Sequence, residues 1–240
     1  MHELLVWQLV DSAFPTGAFA HSLGLESAWH HGEIAAPEDL RRFVEATILQ
    51  AASGTLPLVN AAHHEPARLA EWDALNDAFL TNAVANRASR QQGRTLLASA
   101  SRIFASSTLD ALQARVTATP NFQSPTSKER PTPNHQLGPR LNAHVAPLTG
   151  AAFAALEVPL ETTQRVVLFT AARSVLSAAV RLGVTGSYEA QRMQSGSAAW
   201  CATVLARYRA AGPADLAQTA PFIDILQGAH DRLYSRLFQS

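Results

Sequence analysis

The sequence contains almost no cysteine and almost no lysine, and its charges balance. Cys201 is the only cysteine among 240 residues, which excludes an internal disulfide and a cysteine-based zinc site. Lysine occurs only at position 128, so nearly all of the positive charge is carried by arginine. The formal net charge of +0 at pH 7 gives no support to nonspecific binding of nucleic acid or of an acidic membrane surface.

Long apolar runs and a targeting signal are also missing. The most apolar stretch, VVLFTAARSVLSAAV, includes Arg173 and is too short to span a bilayer. The first residues, MHELLVWQLVDSAF, carry acids and have no basic region before the apolar run, so we expect no signal peptide. These features predict a cytoplasmic protein without a membrane segment.

Helical periodicity is the feature that the sequence has in abundance. Apolar residues recur at intervals of three and four, whereas the alternation typical of strands is missing. We therefore predict an all-α protein, a single-domain bundle of about ten helices over 1–240. The expected helices are 3–11, 20–31, 36–53, 55–63, 67–80, 83–105, 109–116, 146–156, 160–182, 187–194, 197–210 and one from 222 to the end, and Leu5, Trp7 and Leu9 of the first should reach the core.

Three segments stand out within this pattern. Residues 117–142 hold five of the 13 prolines and few apolar side chains, which predicts a flexible insert in the single domain. Gly93 lies inside a predicted long helix, where glycine costs about 1 kcal/mol relative to alanine, so another helix should approach closely there. The predicted helix 160–182 is apolar on nearly every side and rich in small residues, which places it at the centre of the bundle.

The stretch DSAFPTGAFAHSLGLE, residues 11–26, allows two interpretations. AHSLG resembles a nucleophile elbow that would expose Ser22, but such an elbow follows a strand of an α/β sheet, and no strand is predicted here. In the favoured interpretation Pro15 and Gly17 end the first helix, and His21, Ser22 and Glu26 begin the next one. The stretch is then a structural joint and not a catalytic turn.

Histidine and arginine suggest further sites without deciding them. His30–His31 and His63–His64 are sequence neighbours and not the i, i+4 pair of a metalloprotease, so we expect solvated helix ends. Arg173 and Arg181 lie on the most apolar helix and need a partner, either an internal ion pair or another protein. No phosphate-binding loop, dinucleotide fingerprint or close carboxylate pair occurs, so we predict neither enzymatic activity nor a cofactor.

The final stretch, PFIDILQGAHDRLYSRLFQS, carries a large amount of apolar and aromatic surface. In the predicted final helix, from about 222 to the end, these side chains share one stripe. That stripe would contain Phe222, Leu226, Ala229, Leu233 and Leu237, broadened by Ile223, Tyr234 and Phe238. Such a surface must dock either on the bundle itself or on another chain.

Five motifs in order resemble the urease accessory protein UreF family. They are FPTGAFAHSLGLE, NRASRQQGRTLL, HVAPLTGAAFAAL, AAVRLGVTGSYEAQRM and PFIDILQGAHDRLYSRLFQS. Their order and approximate spacing agree with the family over nearly the whole chain apart from the proline-rich insert. The sequence departs from the family pattern at Ser187, Ala190, Asp231 and Gln239, where glutamine, glycine, glutamate and often arginine are usual.

The resemblance implies a helical accessory protein, usually a dimer, that acts in the delivery of nickel to apo-urease. It would bind a UreD-type partner (also called UreH) and recruit or regulate a UreG-type GTPase, without being an enzyme and with no nickel ligand assigned. The implied partner-binding residues are Phe222, Leu226, His230, Arg232, Leu233, Arg236, Leu237 and Phe238, with Arg181 and Gln191 on a turn. The implied structural or interface positions are Pro15, Gly17, His21, Ser22, Gly24, Glu26, Gly93 and Gly186.

Two other functions remain open at this point. A generic helical adaptor would bind a peptide or helix of an unrelated partner through the same surfaces. A serine hydrolase would use Ser22 as its nucleophile.

Overall fold

The computed structural model describes residues 2–17, 20–117 and 140–239, and within these ranges the chain is helical with no strand. The predicted all-α fold is therefore confirmed. The helices are α1 (His2–Val10), α2 (Leu25–His30), α3 (Pro37–Gly54), α4 (Leu56–His64), α5 (Leu69–Phe79), α6 (Ala83–Ile103), α7 (Ser107–Thr117), α8 (Val145–Ala155), α9 (Leu160–Arg181), α10 (Ser187–Gly196), α11 (Ala198–Tyr208) and α12 (Pro221–Ala229). None of the helices in the described ranges is both long and apolar enough to cross a membrane.

Local sequence signals explain where the helices begin and end. Pro37 occupies the first turn of α3, and the Asp39 carboxylate accepts the N–H of Ala36 at 2.8 Å. The side chain of Asn82 caps α6 by accepting the N–H of Val84 at 2.9 Å. Gly183 follows α9 with a φ of 72°, a conformation that glycine adopts without strain, and so the helix ends there.

Three predictions of detail are wrong. Trp7 is 61% exposed, because α1 turns Leu9 and not Trp7 into the core. The predicted helix 20–31 starts only at Leu25, since Leu23 and Gly24 both have a positive φ that no helix can contain. The final helix stops at Ala229, and the chain continues through a 3-10 turn over 230–232 into a non-helical segment.

The buried apolar side chains form two clusters. Leu58, Leu97 and Leu148 belong to the first, around α4, α6 and α8. Ile48 and Val175 belong to the second, around α3 and α9. Helix α9 packs against α2, α3, α4, α8, α10 and α11, which confirms its predicted central position.

Helix α8 lies unusually close to two of its neighbours. A Cβ added at Gly93 of α6 would collide with the carbonyl oxygen of Ala143, and one added at Gly150 of α8 would collide with that of Val59. The close approach predicted at Gly93 is therefore confirmed, although its neighbour is the segment that leads into α8. Both contacts are with backbone atoms, which cannot move aside as a flexible side chain could.

A buried carboxylate fixes the backbone immediately before α8. Asp73 accepts the backbone N–H of Asn142, of Ala143 at 3.2 Å and of His144 at 2.8 Å. Thr117 is the last residue of α7, so α7 and Asp73 hold the two sides of the predicted insert. Positions 118–139, which make up most of that insert, lie outside the described residues.

The His144 side chain extends this polar cluster. Its ring nitrogens lie 3.1 Å from Ser89 Oγ and 3.0 Å from Asp77 Oδ1, and burial lowers the pKa of His144. Burial would raise the pKa of Asp77, but hydrogen bonds from Asn86, Arg90 and His144 lower it to about 2. The cluster therefore keeps a carboxylate charged beside a buried imidazole.

Replacing either close-packed glycine with alanine should destabilise the protein. We expect Gly93→Ala and Gly150→Ala each to lower the free energy of unfolding by about 2 kcal/mol or more, because a methyl group would meet backbone atoms. Gly196→Ala is the matched control, since nothing lies within 4 Å of a Cβ there, and it should change stability by less than about 1 kcal/mol. Urea unfolding measures all three, and equal stability of Gly93→Ala and the control would refute the close approach.

Candidate functional site

The N-terminal motif that contains Glu26 and the C-terminal motif are far apart along the chain, but they lie together in the fold. The backbone N–H of Gln239 donates to the carbonyl oxygen of Ala20 at 2.7 Å. Helix α12 packs against both α2 and α6. The segment 233–239, called the tail segment below, therefore lies against the turn that precedes α2.

The side chain of Glu26 is the centre of this junction. It is only 1% exposed, and its carboxylate accepts three hydrogen bonds. His230 Nε2 lies 2.9 Å from Oε2, the N–H of Leu237 lies 2.5 Å from Oε1, and the N–H of Phe238 lies 3.2 Å from Oε2. We call Glu26, His230 and these two backbone amides the tail clasp.

A strained turn puts Glu26 in place. Leu23 and Gly24 have φ values of 55° and 87°, and the N–H of Leu25 donates to the carbonyl of Ser22 at 3.1 Å. A Cβ at Gly24 would come within 3.3 Å of the Ile223 carbonyl oxygen on α12. Glycine is thus required here both by its φ and by the close approach of α12.

Pro15 and Gly17 act further upstream, against α6. The Pro15 carbonyl accepts the hydroxyl of Ser99 at 2.7 Å, and Gly17 has a φ of 72° beside Thr95. They end α1 as predicted and attach the connecting segment to α6. Gly186, in contrast, has an ordinary φ and open space around it, so the structure does not require glycine there.

Two buried histidines, His21 and His230, lie at the tail clasp. Burial, with a smaller contribution from the nearby His230, lowers the pKa of His21 from 6.5 to about 4. His230 Nδ1 is buried and has no hydrogen-bond partner among the described residues. His230 Nε2 is the ring nitrogen that faces the Glu26 carboxylate.

Outside the clasp, α12 and the tail segment present apolar side chains to solvent. Ile225 is 67% exposed, Phe222 and Leu237 are about half exposed, and Tyr234 is fully exposed. We call these four residues, together with Arg236, the tail surface. Large apolar groups combined with arginine are typical of the energetic centres of protein interfaces.

Ion pairs surround this surface. Asp231 accepts Arg87 of α6 at 2.9 Å and Arg236 at 3.2 Å, and the hydrogen bond from Arg87 lowers the pKa of Asp231. The aspartate at a position where the UreF pattern has glutamate therefore joins α6 to the tail segment. Arg232 is exposed beside them.

The sequence left open whether Arg181 pairs within the chain or with another protein. In the structure its side chain, on α9, contacts the tail segment. Its guanidinium lies 4.3 Å from the centre of the Phe238 ring, which is buried. Gln191 is exposed on α10, and Leu233 is partly buried. Arg173 instead donates to the Val10 carbonyl and lies over Phe169, so its partner is internal.

A separate groove runs between α9 and α11. Its volume is about 830 Å³, and it is lined by Leu160, Leu168, Phe169, Cys201, Ala202, Leu205 and Ala206, with Arg165 and Arg209 among its polar residues. The Phe169 side chain is 40% exposed, whereas the alanines of α11 leave space beside it. The groove thus offers a protruding ring and a face of small residues.

The comparisons with known proteins identify the family. The UreF family model matches residues 34–198. The chain belongs to the UreF family. Urease accessory protein F of Arabidopsis thaliana is 36% identical over 237 residues, which are 98% of this chain and 91% of the relative. Urease accessory protein F of Oryza sativa subsp. indica is 35% identical over 235 residues, or 97% and 83%. Urease accessory protein UreF of Arthrobacter sp. (strain FB24) is 30% identical over 240 residues, or 100% and 97%.

Within this UreF-family chain, some of the residues predicted for partner binding are buried and others are exposed. Leu226, His230 and Phe238 are buried against the chain's own residues and offer no surface, which differs from the continuous exposed stripe expected above. The buried face of α12 is Ile223, Leu226 and then His230, so Phe222 turns outward. The helix ends at Ala229, and the predicted stripe therefore does not exist beyond it.

Ser22 lies in the turn before α2 and not in its first turn, which corrects the expected helix start. The residue is fully buried, and its Oγ lies 3.4 Å from the N–H of Glu26. No strand precedes it in the described chain, so the context of a nucleophile elbow is missing. Ser22 therefore fits the structural interpretation of the stretch.

The histidine pairs lie largely in the solvated positions expected for them, whereas three other histidines are buried. His21, His144 and His230 are buried, whereas His30, His31 and His64 are exposed, and His63 Nε2 lies 2.8 Å from the Val158 carbonyl oxygen. Across the described ranges, no three His, Cys, Asp or Glu side chains are grouped so that they could hold a metal ion.

Sequence reasoning missed Ile225 and Arg87. Ile225 was assigned to no face, because the predicted apolar stripe begins at Phe222 whereas the buried face of α12 begins at Ile223. Arg87 carries no local signal, since its acidic partner Asp231 is distant in the sequence. A stricter test of the helical period over Ile223, Leu226 and His230 would have found the first.

The low pKa of His21 predicts destabilisation by acid. Unfolded His21 binds a proton below pH 6.5 and folded His21 only below about pH 4, so the unfolding free energy must fall as pH falls between these values. In His21→Asn, the loss of stability between pH 7 and pH 5 should be smaller by about 1–2 kcal/mol. The buried His144 should cause part of the remaining loss. Urea unfolding at both pH values decides this, and an unchanged loss in the variant would contradict it.

Proposed function

We propose that this protein acts in urease maturation as a non-catalytic accessory protein that binds a UreD/UreH-type partner through the tail surface. The family membership and the names of its relatives support an accessory role. The observation that carries the proposal is the tail surface itself. Tyr234, Arg236 and Leu237 are exposed on a segment whose backbone is held by a buried carboxylate, and Phe222 and Ile225 are exposed on α12.

Preorganisation makes this surface suitable for binding. A partner that contacts Tyr234 or Leu237 does not have to order the tail segment first, which lowers the entropic cost of association. Arg236 is already oriented by Asp231, and Arg87 extends the charged region onto α6. The partner we propose therefore presents an apolar face bordered by carboxylates.

Recruitment or regulation of a UreG-type GTPase and delivery of nickel to apo-urease complete the proposal. Nickel is treated as cargo of the assembly and not as a resident cofactor of this chain. The buried position of Ser22 favours this role over hydrolysis by a serine nucleophile. We place the protein in the cytoplasm, as one domain over 1–240, without nucleic-acid or membrane partners.

The groove between α9 and α11 supports a homodimer. In a two-fold dimer the same surface of both copies forms the interface. If the two grooves face each other, Phe169 of one copy can insert against Ala202 and Ala206 of the other. Arg165 and Glu161, which form an ion pair, lie at the groove and can exchange partners across the axis. We propose that the second copy binds here, away from the tail surface.

Co-expression with UreD-type and UreG-type proteins of the same source tests the assembly. Size-exclusion chromatography with light scattering should show one species with a mass near two copies of each protein. If the folded chain associates with neither soluble partner, the accessory proposal fails for these partners, and the generic helical adaptor becomes the better description.

Ile225→Asp should weaken binding of the UreD-type partner. Because a charge would replace an apolar group on the tail surface, we expect the dissociation constant to rise at least tenfold, or about 1.4 kcal/mol. Ile103→Asp is the matched control, since Ile103 at the end of α6 is also exposed. Binding is measured by titration calorimetry, and equal effects of the two variants would contradict the assignment of this surface.

Phe169→Asp should convert the dimer into a monomer without unfolding it. The exposed ring contributes to the groove, and a carboxylate there cannot be buried against the alanines of another copy without a large desolvation cost. Light scattering should give one chain mass for Phe169→Asp and two for Ile103→Asp. A dimeric Phe169→Asp protein would exclude the groove as the interface.

A further inference from the structure

We infer that Glu26, although buried, is a positioning residue for partner binding: it sets the fraction of molecules in which Tyr234, Arg236 and Leu237 of the tail surface are correctly placed. This inference deepens the proposed function and rests on it. The Glu26 side chain contacts the tail surface through the backbone N–H of Leu237. Its effect on binding must therefore act through the position of the tail segment.

The inference depends first on how few contacts hold the tail segment. After the 3-10 turn at 230–232, the segment makes no regular secondary structure, and its backbone amides need partners elsewhere. Two of them, from Leu237 and Phe238, donate to Glu26, and a third, from Gln239, donates to Ala20. One side chain therefore accepts two of these three backbone hydrogen bonds.

The chemistry of the acceptor is the second part of the argument. A carboxylate offers two oxygens and no donor, so it can accept from His230, Leu237 and Phe238 at once. A glutamine in its place keeps one accepting oxygen and brings an NH₂ group that faces N–H donors. An aspartate keeps both oxygens but is shorter by one methylene, which withdraws them beyond hydrogen-bond distance.

The surroundings of the clasp explain why the effect should remain local. Phe238, which lies under Arg181, is the buried side chain of the segment, whereas Tyr234, Arg236 and Leu237 are exposed, so release of the segment uncovers this one core ring. The turn that carries Glu26 is held separately by α12 through Gly24. Loss of the clasp should thus release residues 233–239 and leave the helices in place.

The experiment compares wild type with Glu26→Gln in the full chain. Hydrogen exchange of the Leu237 and Phe238 amides should be at least roughly tenfold faster in the variant, because hydrogen bonds to a charged acceptor are lost. Amides of α9 should exchange at the wild-type rate. Glu189→Gln is the matched control, since Glu189 pairs only with Arg192 on the same helix, and it should leave the tail amides unchanged.

The affinity for the UreD-type partner must then fall by a predictable factor. If K is the opening constant of the tail segment obtained from exchange, the dissociation constant of Glu26→Gln should exceed that of wild type by the ratio of 1 + K in the variant to 1 + K in wild type, and this ratio becomes measurable once K in the variant reaches about 1. His230→Leu, which has no side-chain donor and so removes one of the three bonds while leaving the backbone amides in place, should give a smaller rise in both quantities. This second variant also tests the inference if Glu26→Gln does not fold.

Three results would overturn the inference. They are an opening constant of the tail segment that stays well below about 1 in Glu26→Gln, loss of protection throughout the helices, and an opening constant above about 1 with unchanged affinity. The first denies the clasp, the second makes Glu26 a general core residue, and the third makes the tail position irrelevant to binding. If wild type itself binds no partner, the proposed function fails, and exchange in the free chain still decides whether Glu26 holds the tail.

Discussion

One buried carboxylate connects the two ends of the described chain. Glu26 is on a helix of 6 residues, α2, that would have little stability alone, and it accepts hydrogen bonds from residues more than 200 positions away. Burying a charge is costly unless it is fully hydrogen-bonded, so the fold around Glu26 must bring its partners to it. The turn at Leu23 and Gly24, the end of α12 and the path of the tail segment all satisfy that requirement.

The same logic recurs at Asp73. There a second buried carboxylate accepts the amides of Asn142, Ala143 and His144, which have no helical partner before α8 begins. In both cases a side chain replaces regular secondary structure as the acceptor for backbone N–H groups. The bundle thus combines ordinary helix packing with two long-range polar attachments that fix its irregular segments.

Helix periodicity predicted the fold well, because packing in a bundle depends on local, repeating patterns. The positions of α3, α6 and α9 follow from Pro37, Asn82 and Gly183, whose effects reach only a few residues. The tail segment could not be predicted in this way. A periodic stripe over 222–237 suggested a helix, but the hydrogen bonds from Leu237 and Phe238 to Glu26 favour a non-helical path.

For the same reason the candidate site was predicted only in part. The motifs at both ends of the sequence were recognised as important, and most of the residues in the final motif do lie in or beside the tail surface. That the two motifs touch is a tertiary fact with no local signal. The burial of His230 and Phe238, and the exposure of Ile225, follow from that contact and not from composition.

Asp73 also affects how far the chain between α7 and α8 can be altered. Since α7 ends at Thr117 and the Asp73 carboxylate captures the backbone at 142–144, both entry points of the intervening stretch are fixed by the bundle. The entropy of closing a loop changes slowly with its length, by about 0.6 kcal/mol for each doubling. A change in the number of residues between Thr117 and Asn142 should therefore have little effect on the helices, which makes this part of the chain a suitable place to insert a tag or a reporter.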